Sequence, residues 1–242
     1  MHGLILAGGE GSRLAADGIA GPKALVPVAG VPQLLRLARR LEELGCQSLT
    51  CMVREGVDLE PIIPELAELR IPYVVETCRT PSSLHTLVEG LAVISEGPVL
   101  CTMVDTVMRP SDWSRFYHGV DRRLAAGADA VLAVTPFIDD ERPLFAAVDY
   151  DTRVIAIGDR PMRPVTVTGG SYGFSSRART VAHAAVAASV DRMRTFLRAL
   201  VLTGHDVRAI EIEKIIDLDR RRDLELANAW QDSCEKGGSC MA

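Results

Sequence analysis

Leu4-Ile5-Leu6-Ala7 runs without a polar side chain into Gly8-Gly9-Glu10-Gly11-Ser12-Arg13-Leu14. Four apolar residues bounded by glycine read as a short buried strand. The glycines that follow lack Cβ atoms, so their backbone N–H groups can close around an anion. Arg13 ends the loop, and Lys23 follows ten positions later in Pro22-Lys23-Ala24-Leu25-Val26-Pro27-Val28. The spacing predicts a cradle for the triphosphate of a nucleotide at the carboxyl end of a first strand. That position is where open α/β sheets bind their ligands.

Two common phosphate loops do not fit. The dinucleotide fingerprint requires a third glycine after G-x-G-x-x, but Gly9-Glu10-Gly11 is followed by Ser12, Arg13 and Leu14. A P-loop requires a lysine preceded by glycine and followed by Ser or Thr. Here Pro22 precedes Lys23 and Ala24 follows it, which removes an N–H donor and a magnesium-binding hydroxyl.

Net charge is −5, from 27 Lys and Arg against 32 Asp and Glu, with no basic run. An extended nucleic-acid surface is thereby excluded, and an anionic substrate needs local cations to offset the overall field. The first strand begins almost at residue 1, which leaves no room for a signal peptide, and no apolar run reaches spanning length. A cytoplasmic location with no membrane partner is expected. Cys46, Cys51, Cys78 and Cys101 fall in apolar segments as core thiols. Cys234 and Cys240 sit in a polar tail without the spacing of a zinc site. His2, His85, His118, His183 and His205 show no metal-like spacing either.

Along the chain, helix and strand patterns alternate. Leu34, Leu35, Leu37, Ala38, Leu41 and Leu44 form a helical stripe over 32–44, ended by Gly45. Strands are expected at 48–53, 72–75, 99–104 and 130–135, and helices at 58–69, from Ser82 to about 94, and at 112–126. This order predicts an α/β, doubly wound, mainly parallel sheet with helices on both faces. After Pro136 the pattern becomes a hairpin (145–149 and 154–157), a strand (165–174), a long helix (182–202), a strand (207–212) and a helix from about 220 to 230. One domain over 1–230 is expected, with a nucleotide-binding half at 1–135, an acceptor region at 136–215 and a closing motif and helix at 216–230. A polar tail occupies 231–242.

The paired stretches Leu4–Leu14 and Pro22–Pro32 resemble the opening of the sugar-1-phosphate nucleotidyltransferases, the NDP-sugar pyrophosphorylases, in their short single-domain form. The resemblance implies a Rossmann-like, GT-A-like fold with a small β-hairpin substrate lobe. It places the nucleotide on Leu6, Ala7, Gly8, Gly9, Gly11 and Ser12, with Arg13 and Lys23 neutralising charge on the α-phosphate and departing pyrophosphate. Thr80-Pro81-Ser82-Ser83-Leu84-His85 falls where the family reads the nucleobase, with Ser83 in place of its glycine; Ser82 is also a natural helix N-cap.

Ile157-Gly158-Asp159-Arg160-Pro161 is similar to the family's hairpin ending in Glu-Lys-Pro, whose lysine contacts the sugar phosphate. Asp159 and Arg160 stand there in this chain, and a guanidinium fork replaces a point charge. Gly170 and Tyr172, in Gly169-Gly170-Ser171-Tyr172-Gly173, match its Gly-x-Tyr strand beside the sugar; a β-bulge also explains adjacent glycines in a strand.

Joining a triphosphate to a phosphate calls for a divalent cation, and Mg²⁺ takes oxygen ligands. Asp105 ends the apolar run Val99–Val104 at the position of the family's metal-binding aspartate. Ile216-Asp217-Leu218-Asp219-Arg220-Arg221-Arg222-Asp223-Leu224 resembles its closing motif. Asp219 is the expected second ligand and Asp217 the alternative, while a helix-capping role competes for Asp219.

The resemblance thus implies a Mg²⁺-dependent nucleotidyltransferase that condenses an NTP with a sugar 1-phosphate to give an NDP-sugar and pyrophosphate. Two other readings stay open. One is a cytidylyltransferase for phosphocholine, a phosphonate or another phosphorylated alcohol. The other is an inactive nucleotide-binding regulatory subunit. The base, the acceptor and any homo-oligomer are left open.

Overall fold

A computed structural model describes the backbone of residues 1–237 and the side chains of residues 1–231. The chain runs β1 (His2–Ala7), α1 (Ser12–Ala16), β2 (Pro27–Val28), β3 (Val31–Pro32), α2 (Gln33–Glu43), β4 (Leu49–Arg54), α3 (Ile63–Leu66) and β5 (Tyr73–Cys78). It continues with α4 (Ser83–Val93), β6 (Val99–Met103), β7 (Thr106–Val107), α5 (Pro110–Ala125) and β8 (Ala130–Thr135). The remainder is β9 (Phe145–Val148), β10 (Val154–Gly158), β11 (Val167–Phe174), α6 (Ser176–Ala187), α7 (Met193–Leu202), β12 (Val207–Glu211), β13 (Ile216–Asp217) and α8 (Arg221–Gly237).

Nine strands form the main sheet. Its order is β10-β9-β11-β6-β1-β4-β5, with β8 on the free side of β11 and β12 beside β8. β1 pairs in parallel with β4 on one side and β6 on the other, so the winding reverses between β1 and β6. β11 runs antiparallel to both β6 and β8, which brings its amino end level with the carboxyl ends of those neighbours. Ligands in open α/β sheets bind at such a reversal, beyond the strand carboxyl ends.

Side chains alternate across β1, as a strand's two-residue period dictates. Leu4 and Leu6 join a core under α4, α6 and α7 that includes Leu87, Phe174 and Phe196. Ile5 and Ala7 face the opposite core, with Leu37 and Leu41 of α2 and Trp113 and Phe116 of α5. A third, small core holds Leu14, Val28, Val107, Ile216, Leu224 and Trp230, away from both faces of the sheet.

Three expectations need correction. The helix expected over 58–69 is a 3-10 turn followed by the four-residue α3, because Pro61 and Pro64 each remove a backbone donor. The single helix expected over 182–202 is two. α6 starts earlier, at Ser176, where the Ser175 hydroxyl accepts from Ala178 N–H at 3.2 Å. It ends in a left-handed turn at Ser189 (φ 64°), where Val190 N–H bonds back to Ala185 O at 2.9 Å. No glycine or proline announces that break. The last helix continues past Trp230 to Gly237. The side chains of Cys234 and Cys240 lie outside those described.

No helix among the described residues is long and apolar enough to cross a membrane. Cys46, Cys51, Cys78 and Cys101 are free and buried. Burial pushes the Cys46 and Cys51 thiols up to about 12 and raises Cys101 as well. Raised thiols keep their protons in the folded state, so this stabilising contribution is complete below the ordinary thiol range and declines as pH rises toward 12. Native protein at pH 8 is therefore expected to leave these three thiols unalkylated by iodoacetamide while the urea-unfolded chain reacts. Peptide mapping checks this, and fast native labelling would contradict the burial.

Candidate active site

Gly8 and Gly9 carry the chain out of β1, and Gly11 takes φ 65° immediately before α1. A Cβ on Gly8 would sit 3.0 Å from Thr86 Oγ1, and one on Gly11 would sit 3.2 Å from Lys23 Cγ. The loop is thus shaped by close approach on both sides. Ala7 is buried and turned toward the α2 and α5 core, which leaves its backbone, not its methyl, for the loop.

Four charged groups from distant parts of the chain meet beside this loop. Lys23 Nζ lies 2.8 Å from Asp105 Oδ2 and 2.5 Å from Asp219 Oδ1, while Arg13 Nη1 lies 2.5 Å from Asp219 Oδ2. Burial alone would draw Lys23 down, but Asp105 and Asp219 outweigh it and hold its ammonium above the ordinary lysine range. Asp105 follows β6. Asp217 lies on β13, opposite Thr106 of β7, and Leu218 N–H donates to Asp105 O at 3.0 Å. Two buried glutamines brace this strand pair: Gln33 Nε2 donates to Thr106 O at 2.9 Å and Gln231 Nε2 to Met108 O at 3.1 Å.

The helix cap at α8 belongs to Asp223, whose Oδ2 accepts from the N–H groups of Asp219 and Arg220 at 3.1 and 2.7 Å. Asp219 is thereby released from that duty. Asp217 Oδ1 is buried without a hydrogen-bond partner, as is Thr106 Oγ1. Burial, then the charges of Asp105, Asp140 and Asp219, push the Asp217 carboxyl well above the usual range against the pull of Lys23.

Asp105, Asp217 and Asp219 supply hard oxygen donors in one place, and the orphaned Oδ1 marks where a cation would be welcome. Among the described residues no three metal-ligating groups are already gathered around a common point. Magnesium does not need them to be, because it commonly takes one or two protein carboxylates and completes its shell with substrate phosphates and water.

Two clefts meet at Ser82, Ser83 and Met103. The first runs past Asp105, Asp217, Asp219, Gly170 and Tyr172 and is lined by Arg142, Arg192 and Arg194. The second starts at Leu6, Gly8 and Gly9 and passes Glu10, Arg54, Thr80 and Pro81. Ser82 occupies the N-cap position of α4, but its hydroxyl meets His85 Nδ1 at 2.9 Å in place of a backbone N–H. Ser83 begins the helix and borders both clefts.

Gly169 and Gly170 form a bulge, since the register of β11 against β8 shifts between Thr168 and Tyr172. A Cβ on Gly169 would meet Ile215 Cδ1 at 2.2 Å, and one on Gly170 (φ 67°) would meet Thr106 Oγ1 at 2.4 Å. Their closest neighbours are protein atoms of Ile215 and Thr106 beside the carboxylates, although Gly170 also borders the first cleft.

Asp159 and Arg160 stand apart from the other expected residues. Both are exposed and line neither cleft. Asp159 instead holds Arg198 at 2.8 Å and Arg194 at 2.9 Å, and these guanidinium groups, Arg198 first, keep its carboxyl below the usual range. Arg142, Arg192 and Arg194 went unrecognised in the sequence. They are isolated arginines in a loop and at a helix start, with no spacing to betray them.

The geometry has relatives. A 2-C-methyl-D-erythritol 4-phosphate cytidylyltransferase of Saccharopolyspora erythraea is 33% identical over 156 residues, covering 62% of this chain and 66% of that protein, just under two thirds of its length. A Bacillus anthracis protein described as a glucose-1-phosphate thymidylyltransferase shares the fold with a TM-score of 0.79 at 17% identity, covering 95% of this chain and 94% of the other. An inositol-1-phosphate CTP transferase of T. maritima does so at 0.73 and 16% identity, covering 93% and 94%. Residues 3–204 match the MobA-like NTP transferase domain, and the chain belongs to that family of nucleotidyltransferases.

Proposed function

We propose that this chain transfers a nucleotidyl group from an NTP to a phosphorylated acceptor, a sugar 1-phosphate in the first instance, and releases pyrophosphate. The observation that carries this reading is Lys23 bridging Asp105 and Asp219 beside the glycine loop, with Arg13 on the far side of Asp219. Cations placed there neutralise charge where a triphosphate is split.

The glycine loop, with Ser12, holds the polyphosphate through backbone N–H groups, and Arg13 and Lys23 turn from their carboxylate partners toward the phosphates. Asp105 and Asp219, with Asp217 alongside, would hold Mg²⁺, which supplies Lewis-acid neutralisation of the α-phosphate and the incoming phosphate. An acceptor phosphate oxygen forms a bond to the α-phosphorus while the bond to the β-phosphate oxygen breaks, and pyrophosphate leaves in line. No general base is needed, because a phosphate monoester is already ionised at neutral pH. The reaction belongs in the cytoplasm, where NTPs are made.

Arg194, oriented by Asp159, stands in the first cleft where Arg160 does not. Arg194→Ala is expected to raise the acceptor KM about 30-fold, the size of a lost charge-assisted contact. Arg160→Ala should change it less than about twofold. The reverse order in steady-state kinetics would return the phosphate to the hairpin tip.

A second reading has its own support. The relative with the matching stretch of sequence is named for a cytidylyltransferase of a phosphorylated polyol. In addition, Asp159, which the resemblance puts among the sugar-phosphate contacts, is taken up by two arginines. Pyrophosphate release with Mg²⁺, measured across four NTPs against sugar 1-phosphates and phosphorylated alcohols, decides between the two. Silence over the whole panel would remove both.

A further inference from the structure

We infer that Thr106 is a positioning residue for the cation: its buried hydroxyl stands beside Asp217 and orients that carboxylate toward the Mg²⁺ site. This rests on the reading of Asp105, Asp217 and Asp219 as the cation site, and it adds an uncharged residue that no motif marks. Thr106 is fully buried, and its Oγ1 has no hydrogen-bond partner among the described residues. Buried hydroxyls in folded proteins are nearly always bonded, so each exception calls for an explanation. Five buried side-chain atoms are in that condition among the described residues, and two of them, Thr106 Oγ1 and Asp217 Oδ1, belong to residues directly opposite each other in the pairing of β7 with β13. Directly opposed residues put their side chains on one face of a strand pair.

Gly170 shows where the two atoms converge. A Cβ there would collide with Thr106 Oγ1 and lie 3.6 Å from Asp217 Oδ1. The bare backbone of the β11 bulge thus seats hydroxyl and carboxylate side by side, and a larger residue would push them apart. Gln33 Nε2 holds the Thr106 carbonyl at 2.9 Å, which fixes the backbone that carries the hydroxyl. The other two carboxylates have cations in contact: Asp105 has Lys23, and Asp219 has Lys23 and Arg13. Asp217 has no ion pair among the described residues, so its orientation falls to a neutral donor. A carboxylate oxygen carries more than one lone pair, so Oδ1 can accept the hydroxyl proton and still face a cation. Hydrogen bonds to a metal-binding carboxylate fix its direction and tune its affinity.

Mn²⁺ serves as the probe, because electron paramagnetic resonance counts the bound ion without any turnover. Thr106→Val keeps the shape and removes the hydroxyl. It is expected to weaken Mn²⁺ binding about tenfold. Its Tm should stay at or above the wild-type value, since a methyl replaces an unpaired buried hydroxyl. Thr106→Ser should bring the affinity back to within about twofold of wild type. Asp217→Asn should lose affinity as well, and adding Thr106→Val to it should cost nothing further, because the hydroxyl acts through that carboxylate. Unchanged affinity in Thr106→Val or in Asp217→Asn, a loss that serine does not restore, or additive losses would each overturn the inference. So would a valine variant whose Tm falls with its affinity or that does not fold, because the hydroxyl would then be serving the fold. A wild type that takes up no Mn²⁺ would instead bring down the reading of the carboxylates as a cation site.

Discussion

Lys23→Ala is expected to slow pyrophosphate release about a thousandfold, the scale of losing a preorganised cation at a phosphoryl-transfer centre. The same substitution leaves Asp105 without its cation beside Asp219, which keeps only Arg13. Their side chains are 19% and 31% exposed and that of Lys23 12%, so water screens the repulsion only in part. A destabilisation of about 2 kcal/mol follows, read as a drop in Tm of roughly 5 °C. Two readouts therefore move together, and a variant with wild-type turnover would remove the central assignment. Because the folded state raises Lys23, its stabilising contribution is fully present below about 10.5 and lost only as pH climbs above that value. Any change in rate between pH 6 and 9 must then come from another group.

Asp105→Asn should lose comparable activity by a different route. The amide keeps the shape and can still accept from Lys23, but it removes one of the carboxylates that would face the metal. Expected are a loss of about a thousandfold in kcat and a clear rise in the Mg²⁺ concentration for half-activation, with Tm within a few degrees of wild type. Asp219→Asn should behave alike while also loosening Arg13. Magnesium titration of all three proteins is the check, and an unchanged Mg²⁺ requirement in Asp105→Asn would place the cation elsewhere.

Much of this site was legible because its signals are local. The apolar run into Gly8-Gly9, the lysine after Pro22 and the aspartate ending Val99–Val104 each carry their meaning within a few residues, and the fold brings Arg13, Lys23, Asp105 and Asp219 together. The strand and helix alternation was readable through β8 except at α3. What failed to show was long-range or lacked a marker. The break between α6 and α7 uses a serine in the left-handed region where glycine is the usual sign. α3 is short because Pro61 and Pro64 each remove a backbone donor. Arg142, Arg192 and Arg194 converge only through tertiary packing. Asp159 sits where the resemblance put an acceptor contact, yet its partners come from α7, far along the chain.

The two-stranded sheet of β7 and β13 rests on a small core of its own, braced by Gln33 and Gln231 and separate from the two cores that hold the main sheet. Substitutions at Val107, Ile216 or Leu218 should therefore alter the spacing of the carboxylates more than the packing of either face of the sheet. If Asp105, Asp217 and Asp219 hold the cation as proposed, its coordination is then adjustable with little effect on thermal endurance, which would give this scaffold room to take new acceptors while its architecture stays fixed.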